Sequence, residues 1–351
     1  MKITKPKIVR SEAVLGAQLA KQIDGRRYVL LTDEVVSELC LPVIGEFVAA
    51  NEPLDIIEVE SGEKCKAPEI CLHLWNHFIE LGLNKTDVIV CLGGGSITDL
   101  GGFLSSTYKR GIACIFIPTT LLAMTDAALG GKNGINSLDV KNVIGTIVQP
   151  EAIFIYSRFC ETLSRTHFLS GMAEVIKHGA ISGSDLWSAF QSMPADSKSI
   201  PTNVLKQSIA VKLSIVQLDP HEKGVRKLLN FGHTIGHAVE SAVMQRGKSI
   251  EHGIAVALGM LVEAEVAVQL KLAEANALLE FSSIIKKWYA QEWENLPLWE
   301  EISPFLVHDK KRIGEKNVCV LPLSIGNVQI VDDVPLSVIQ IAYNQLLMGL
   351  F

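Results

Sequence analysis

The sequence predicts an α/β protein: a Rossmann-like parallel-sheet unit over residues 1–158, followed by a mostly α-helical unit over residues 159–351. Short aliphatic and β-branched runs alternate with helical periodicities through the first half, and strand-like runs all but vanish after about residue 160. At roughly 100–200 residues per domain, 351 residues are also enough for two cores.

The strand-like runs are Tyr28–Thr32, Asp55–Val59, Asp87–Leu92 and Ala113–Pro118, each bounded by polar or turn residues. Residues 34–50, 67–82 and 97–108 between them have helical spacing. Nearly continuous apolar strands in β-α-β-α order imply a parallel sheet covered on both faces, in which ligands bind beyond the carboxyl ends of the strands. Beyond the class change, 168–181, 203–218, 229–245, 252–278 and 337–348 read as helices. MPADSKSIP at 193–201 reads as a loop, and VCVLPL within 308–330 as a short β interruption. A cleft between the two halves is the expected ligand site.

Charge narrows the function classes. With 32 basic against 38 acidic residues the formal charge is −6, so no global basic field exists to hold nucleic acid or an anionic membrane. A composition of 48% hydrophobic and 20% charged residues opposes disorder. Seven cysteines, odd in number and never in CxxC spacing, read as reduced thiols. The N-terminus lacks a signal-peptide core, and the longest apolar runs are broken by Pro118 or by Glu263 and Glu265, so the expectation is a soluble, cytoplasmic chain.

Directly after the strand DVIVCL comes Gly93-Gly94-Gly95-Ser96-Ile97-Thr98-Asp99, opening a helix. Glycines let backbone N–H groups approach a pyrophosphate, and a helix N-terminus favours the anion, although such a loop also serves as a simple turn. Asp33, ending the first strand, suits either a ribose hydroxyl or a helix N-cap. Pro118-Thr119-Thr120, Asp126, the stretch Gly130–Asn136 with Lys132, and Lys141-Asn142 read as an anion-binding loop or as a solvated one. In LNFGHTIGHAVE, His233 and His237 stand at i and i+4 on one helix face. With His252 and with Glu174, whose neighbour at i+3 is Lys177, they offer a carboxylate and imidazoles for a divalent metal; partly exposed helix histidines are the alternative. Lys212, Glu222, Arg226 and Asn230 precede the histidine pair and suit an acidic substrate or a solvated face.

The blocks GGGSITDLGGF, TYKRG, IPTTLLAMTDAALGGKNGIN, KNVIGTIVQP, GMAEVIKHG, LLNFGHTIGHAVE and DKKRIGEKNVCVLPLSIG, in this order, resemble the sugar phosphate cyclase superfamily and within it the dehydroquinate synthase family. The resemblance runs from about Asp33 to Pro322. It implies an NAD- and metal-dependent, phosphate-eliminating lyase of the shikimate pathway. Such an enzyme converts 3-deoxy-D-arabino-heptulosonate 7-phosphate to 3-dehydroquinate and phosphate, with zinc, or cobalt, as the metal.

By the same resemblance Asp33, Glu63, Lys66, Gly94, Gly95, Asp99, Thr119 and Thr120 contact NAD, with Lys141 and Thr162 nearby. Glu174, His233 and His252 ligate the metal. Asp126, Lys132, Asn142, Lys177, Lys212, Arg226, Asn230, His237 and Lys310, beside Lys311, serve the substrate, and Arg110 reaches in from the partner of a homodimer. Departures from the family pattern are Ser164-Arg165-Thr166-His167 in place of a proline-rich loop with Arg-Glu, Thr98 in place of Gly, and Asn133 in place of Thr. Another sugar phosphate cyclase, or a metal-dependent polyol or glycerol dehydrogenase, is the alternative; a dehydrogenase has no need of Arg226 or of the loop around Lys132 and Asn142.

Overall fold

Runs of aliphatic residues that bury both faces of a strand have to sit inside a parallel sheet, and the computed structural model shows them doing so. It describes residues 2–138, 140–307 and 317–350, so Lys310 and Lys311 lie outside the described residues. The chain folds as two compact units, one ending at Leu163 and the other starting at Ser164.

The first unit runs β1 (Lys7–Ile8), α1 (Glu12–Ile23), β2 (Tyr28–Asp33), α2 (Glu34–Leu39), α3 (Gly45–Ala50), β3 (Asp55–Val59), α4 (Pro68–Glu80), β4 (Val88–Gly93), α5 (Gly95–Thr107), β5 (Ala113–Pro118), β6 (Lys132–Ser137), β7 (Val140–Ile147) and β8 (Ala152–Ile155). Six of these strands form one sheet in the order β1-β8-β5-β4-β2-β3, all parallel. Every residue of β2 and β4 is buried, which puts the carboxyl end of β4 near the middle of the sheet.

Several local features differ from the sequence expectation. The single helix expected over 34–50 breaks into α2, a 3-10 turn at Leu41–Ile44 and α3, because Pro42 has no N–H to continue the ladder. The glycine-punctuated stretch after β5 is not a loop. It forms the antiparallel hairpin β6–β7, whose outer strand leaves Val143, Ile144 and Ile147 exposed. The strands β1 and β8 are two and four residues long, too short to stand out as periodic runs.

The second unit contains α6 (Arg165–Ser182), α7 (Ser184–Ser192), α8 (Thr202–Leu218), α9 (His233–Gln245), α10 (His252–Gln269), α11 (Ala275–Tyr289), α12 (Trp299–Val307), the antiparallel pair β9 (Cys319–Ser324) and β10 (Asn327–Val331), and α13 (Leu336–Leu350). Ser164 caps α6 by accepting the His167 N–H at 3.2 Å, so the residues that depart from the family pattern still start this helix properly. The helix expected over 229–245 begins only at His233: residues 225–230 form a 3-10 turn, and Gly232 at φ +79° turns the chain. The expected 252–278 helix divides into α10 and α11 around Lys271, whose φ is +57°.

Among the described residues α10 is the one helix long and apolar enough to cross a bilayer, but 78% of it is buried within the fold, so it is a core helix. It lies directly against α9. A Cβ on Gly259 would fall 2.0 Å from Gly232 O, and one on Gly236 would fall 3.0 Å from the Val256 Cα, so these glycines bring the two backbones into contact. In the middle of α10 the fully buried Glu263 accepts the Gly232 N–H at 2.6 Å. At the far end of α6, Gly183 (φ +63°) meets Gly326 (φ +82°) in the β9–β10 turn; a Cβ on either would sit 3.2 Å from the other's Cα. Gly326 N–H also donates to Ala180 O at 2.8 Å.

Candidate functional site

In the first unit the loop leaving β4 opens α5 with Gly94 at the N-cap, where no side chain satisfies the first N–H groups. Thr119 N–H donates to Gly93 O at 2.9 Å, and Thr120 Cγ2 would touch a Cβ on Gly94 at 3.0 Å, so β5 closes one side of the loop. Lys66, 1% exposed, donates from Nζ to Asp99 Oδ2 at 2.8 Å and to Asn142 Oδ1. Glu63 lies 3.7 Å from the same ammonium and accepts from Ser96 Oγ at 3.1 Å and Asn136 Nδ2 at 2.9 Å.

Charges in this network shift one another. Burial pushes the Asp99 carboxyl up to about 6, against the pull of Lys66. Burial also works against the Lys66 charge, but Asp99 and Glu63 outweigh it and hold the ammonium above its ordinary value. The structure thus gathers Glu63, Lys66, Asp99 and Asn142 from the expected set. Asn142, which the resemblance gives to the substrate, accepts here from Lys66, which it gives to NAD. Ser96 and Asn136 were missed as partners, although both lie inside the glycine-rich blocks.

Asp33 Oδ1 accepts N–H from Val35 at 3.1 Å and Val36 at 3.0 Å, and the Ser61 hydroxyl at 2.8 Å, so it caps α2. Thr162 donates to Phe159 O at 2.8 Å. Asp126 lies in the π turn Ala123–Ala127, whereas Lys132 and Lys141 are exposed on the hairpin. Lys109 and Arg110 both take positive φ, +48° and +62°, and Arg110 is exposed.

In the second unit α6, α9 and α10 bring a carboxylate and three imidazoles together. Ring nitrogens of His233, His237 and His252 lie within 4.8 Å of one another. Glu174, 1% exposed, points Oε1 at His233 Nε2 (3.6 Å) and His252 Nε2 (3.9 Å), while the Lys177 ammonium packs against Oε2. Both Glu174 oxygens are buried, and among the described residues Oε1 accepts no hydrogen bond. The Nδ1 atoms are engaged elsewhere: that of His233 with Phe231 O at 3.1 Å and that of His252 with Glu240 Oε2 at 3.0 Å. Burial disfavours charge on His252, yet the Glu240 and Glu174 carboxylates together outweigh burial and hold the imidazole above its ordinary value. A buried carboxylate with one oxygen held by an ammonium and the other faced by two Nε2 atoms fits a divalent cation.

Lys212 and Arg226 are buried, at 6% and 3% exposure. The Arg226 guanidinium donates to Pro220 O at 2.7 Å, and Asp219 accepts the N–H groups of Lys223, Gly224 and Arg226, fixing the loop that carries it. Asn230 donates to Glu222 at 2.7 Å. Glu240 and Glu263 were not foreseen. Glu240 stands seven residues after His233, a spacing that places both on one face of α9; nothing comparable marks Glu263 inside an apolar run.

This pairing of an α/β unit, with an open glycine loop beyond a central strand, and a helical unit is the fold of solved sugar phosphate cyclases. A solved 2-epi-5-epi-valiolone synthase from Streptomyces hygroscopicus, with NAD+ and Zn2+ bound, superposes with a TM-score of 0.88 at 23% identity, covering 99% of this chain and 98% of its own. A 2-deoxy-scyllo-inosose synthase complexed with carbaglucose-6-phosphate, NAD+ and Co2+ gives 0.85 at 25% identity, covering 98% and 99%. Within that class, the family models described as 3-dehydroquinate synthase N-terminal and C-terminal match residues 56–170 and 171–312. Curated 3-dehydroquinate synthases from Parabacteroides distasonis and Pyrococcus furiosus are 38% and 35% identical, covering 86% and 90% of this chain and 86% and 92% of theirs. The chain belongs to the 3-dehydroquinate synthase family.

Proposed function

We propose that the chain catalyses the reaction of its family, converting 3-deoxy-D-arabino-heptulosonate 7-phosphate to 3-dehydroquinate and inorganic phosphate within the shikimate route to aromatic amino acids. The observation that carries this reading is the buried Glu174 carboxylate facing the Nε2 atoms of His233 and His252. These three residues would hold a zinc or cobalt ion. Asp33, Glu63, Lys66, Gly94, Gly95, Asp99, Thr119, Thr120, Lys141 and Thr162 would hold NAD. When bound, NAD supplies a temporary hydride acceptor and the metal supplies Lewis acidity.

The chain's own residues do the rest. Arg226 takes the substrate carboxylate in a bidentate contact, helped by Lys212 and Asn230. Lys132, Asn142 and the partner copy's arginine at position 110 hold the phosphate, whose departing dianion accepts the proton acidified by oxidation of the neighbouring carbon. Lys177, His237 and Asp126 orient the ring hydroxyls, and Lys310 also serves the substrate. A homodimer is supported by the exposed Arg110 and by the apolar residues Val143, Ile144 and Ile147 that β7 leaves exposed, a surface that invites cover. The enzyme works in the cytoplasm.

The test is a purified sample given catalytic NAD, zinc and the heptulosonate phosphate, with phosphate release and product ultraviolet absorbance followed together. Both should rise in step. Removing the metal should stop turnover, and zinc or cobalt should restore it. Full activity in a verified metal-free sample, or faster cyclisation of sedoheptulose 7-phosphate, overturns the reading.

A further inference from the structure

We propose that Glu240 is a positioning residue for the metal centre: its carboxylate fixes the ring of His252 so that Nε2 faces Glu174. The inference rests on the metal-centre reading above. Glu240 Oε2 lies 3.0 Å from His252 Nδ1 and is almost fully buried, so the bond is shielded from competing water. A carboxylate can only accept at that distance. Nδ1 therefore carries the hydrogen, which in the neutral ring leaves the lone pair on Nε2, the nitrogen 3.9 Å from Glu174 Oε1.

The two imidazoles are held in different ways. His233 Nδ1 meets a backbone carbonyl only two residues back, at Phe231, so its ring is set by the turn that starts its own helix. His252 is the first residue of α10 and is 30% exposed, and its ring is steered by a side chain from a different helix, α9. Glu240 thus ties the imidazole at the start of α10 to a side chain of α9. A carboxylate partner also makes the imidazole a stronger donor than a carbonyl partner does.

Cobalt binding to the metal-free protein, in competition with a chromophoric chelator, reads this without turnover. Glu240→Ala should bind cobalt ~10–100-fold more weakly than wild type. Its visible cobalt spectrum should also differ, while the thermal midpoint of the metal-free protein stays put. Glu240→Gln keeps an accepting oxygen and nearly the same shape, so it should recover part of the affinity; it carries the test should the alanine variant fail to fold. Wild-type affinity and spectrum in Glu240→Ala, or in Glu240→Gln where that variant stands in, overturns the proposal. His252→Ala separates the two levels: should wild type bind no cobalt, or His252→Ala bind it as tightly as wild type, the metal centre itself fails.

Discussion

Under the proposed function, Arg226 is the residue on which substrate choice turns. Its guanidinium is buried and held by a loop whose N–H groups converge on Asp219, so a substrate without a carboxylate would forfeit a charge-assisted contact in a closed site. Arg226→Met should therefore cost about 2–5 kcal/mol in kcat/KM for the heptulosonate phosphate. Steady-state kinetics on wild type and variant checks this, and an unchanged kcat/KM would remove Arg226 from the substrate site.

His167 gives a pH-dependent counterpart. Its ring lies 3.4 Å from Glu251, and the hydrogen bond to that carboxylate, opposed by burial, raises the imidazole above its ordinary value. A histidine raised on folding stabilises fully below its unfolded value and loses that contribution as the pH climbs through the folded one. The pair is over half exposed on the His167 side, so the effect should be only about 0.2–1 kcal/mol. Thermal midpoints of wild type and His167→Asn should differ on the acid side and converge in mild alkali. A gap that ignores pH would mean that the ion pair does not form. At this scale the sequence exposed donors and acceptors but not their partners: Asp33 suited a cap or a ribose contact equally, and only the three bonds to its Oδ1 show the cap.

Among the elements, the α9–α10 pair matters most, because His233 starts one helix and His252 starts the other. Their backbones touch at Gly232, Gly236 and Gly259. Gly259→Ala would place a methyl 2.0 Å from Gly232 O, a clash that a rigid backbone cannot relieve. The expected loss is about 1–3 kcal/mol of stability or more, with cobalt affinity falling alongside. Chemical denaturation with a parallel metal titration measures both, and a variant as stable as wild type would show that the helices can slide apart cheaply. The helices themselves were legible from their apolar spacing, but their breaks were not. Gly232 and Lys271 interrupt patterns whose hydrophobic period continues, so the periodicity read straight through two turns.

For the whole molecule, the change from alternating α/β to helical structure was plain in the sequence, because a doubly buried strand and a core helix differ in run length. The hairpin β6–β7 was hidden by its glycines, lysines and asparagines, which resemble a loop in composition. That hairpin bears Lys132, and Arg110 sits exposed in the same unit. Mixing an Arg110→Ala chain with a Lys132→Ala chain should regain activity in heterodimers, since each pair keeps one intact composite site. Assays after verified subunit exchange decide it, and silence there would mean that Arg110 serves its own chain or none.

The paired glycines Gly183 and Gly326 set a timetable for synthesis. The helix α6, with Glu174 and Lys177, leaves the ribosome long before the turn that receives the Ala180 carbonyl and covers Gly183 has been made. At about 5–20 residues per second, many seconds separate the two events. Throughout that interval the nascent helix has an open carboxyl end and no hairpin against it. The Glu174 carboxylate is thus translated early and secured late, and the last described strands act as the clasp that finishes a helix begun near the middle of the chain.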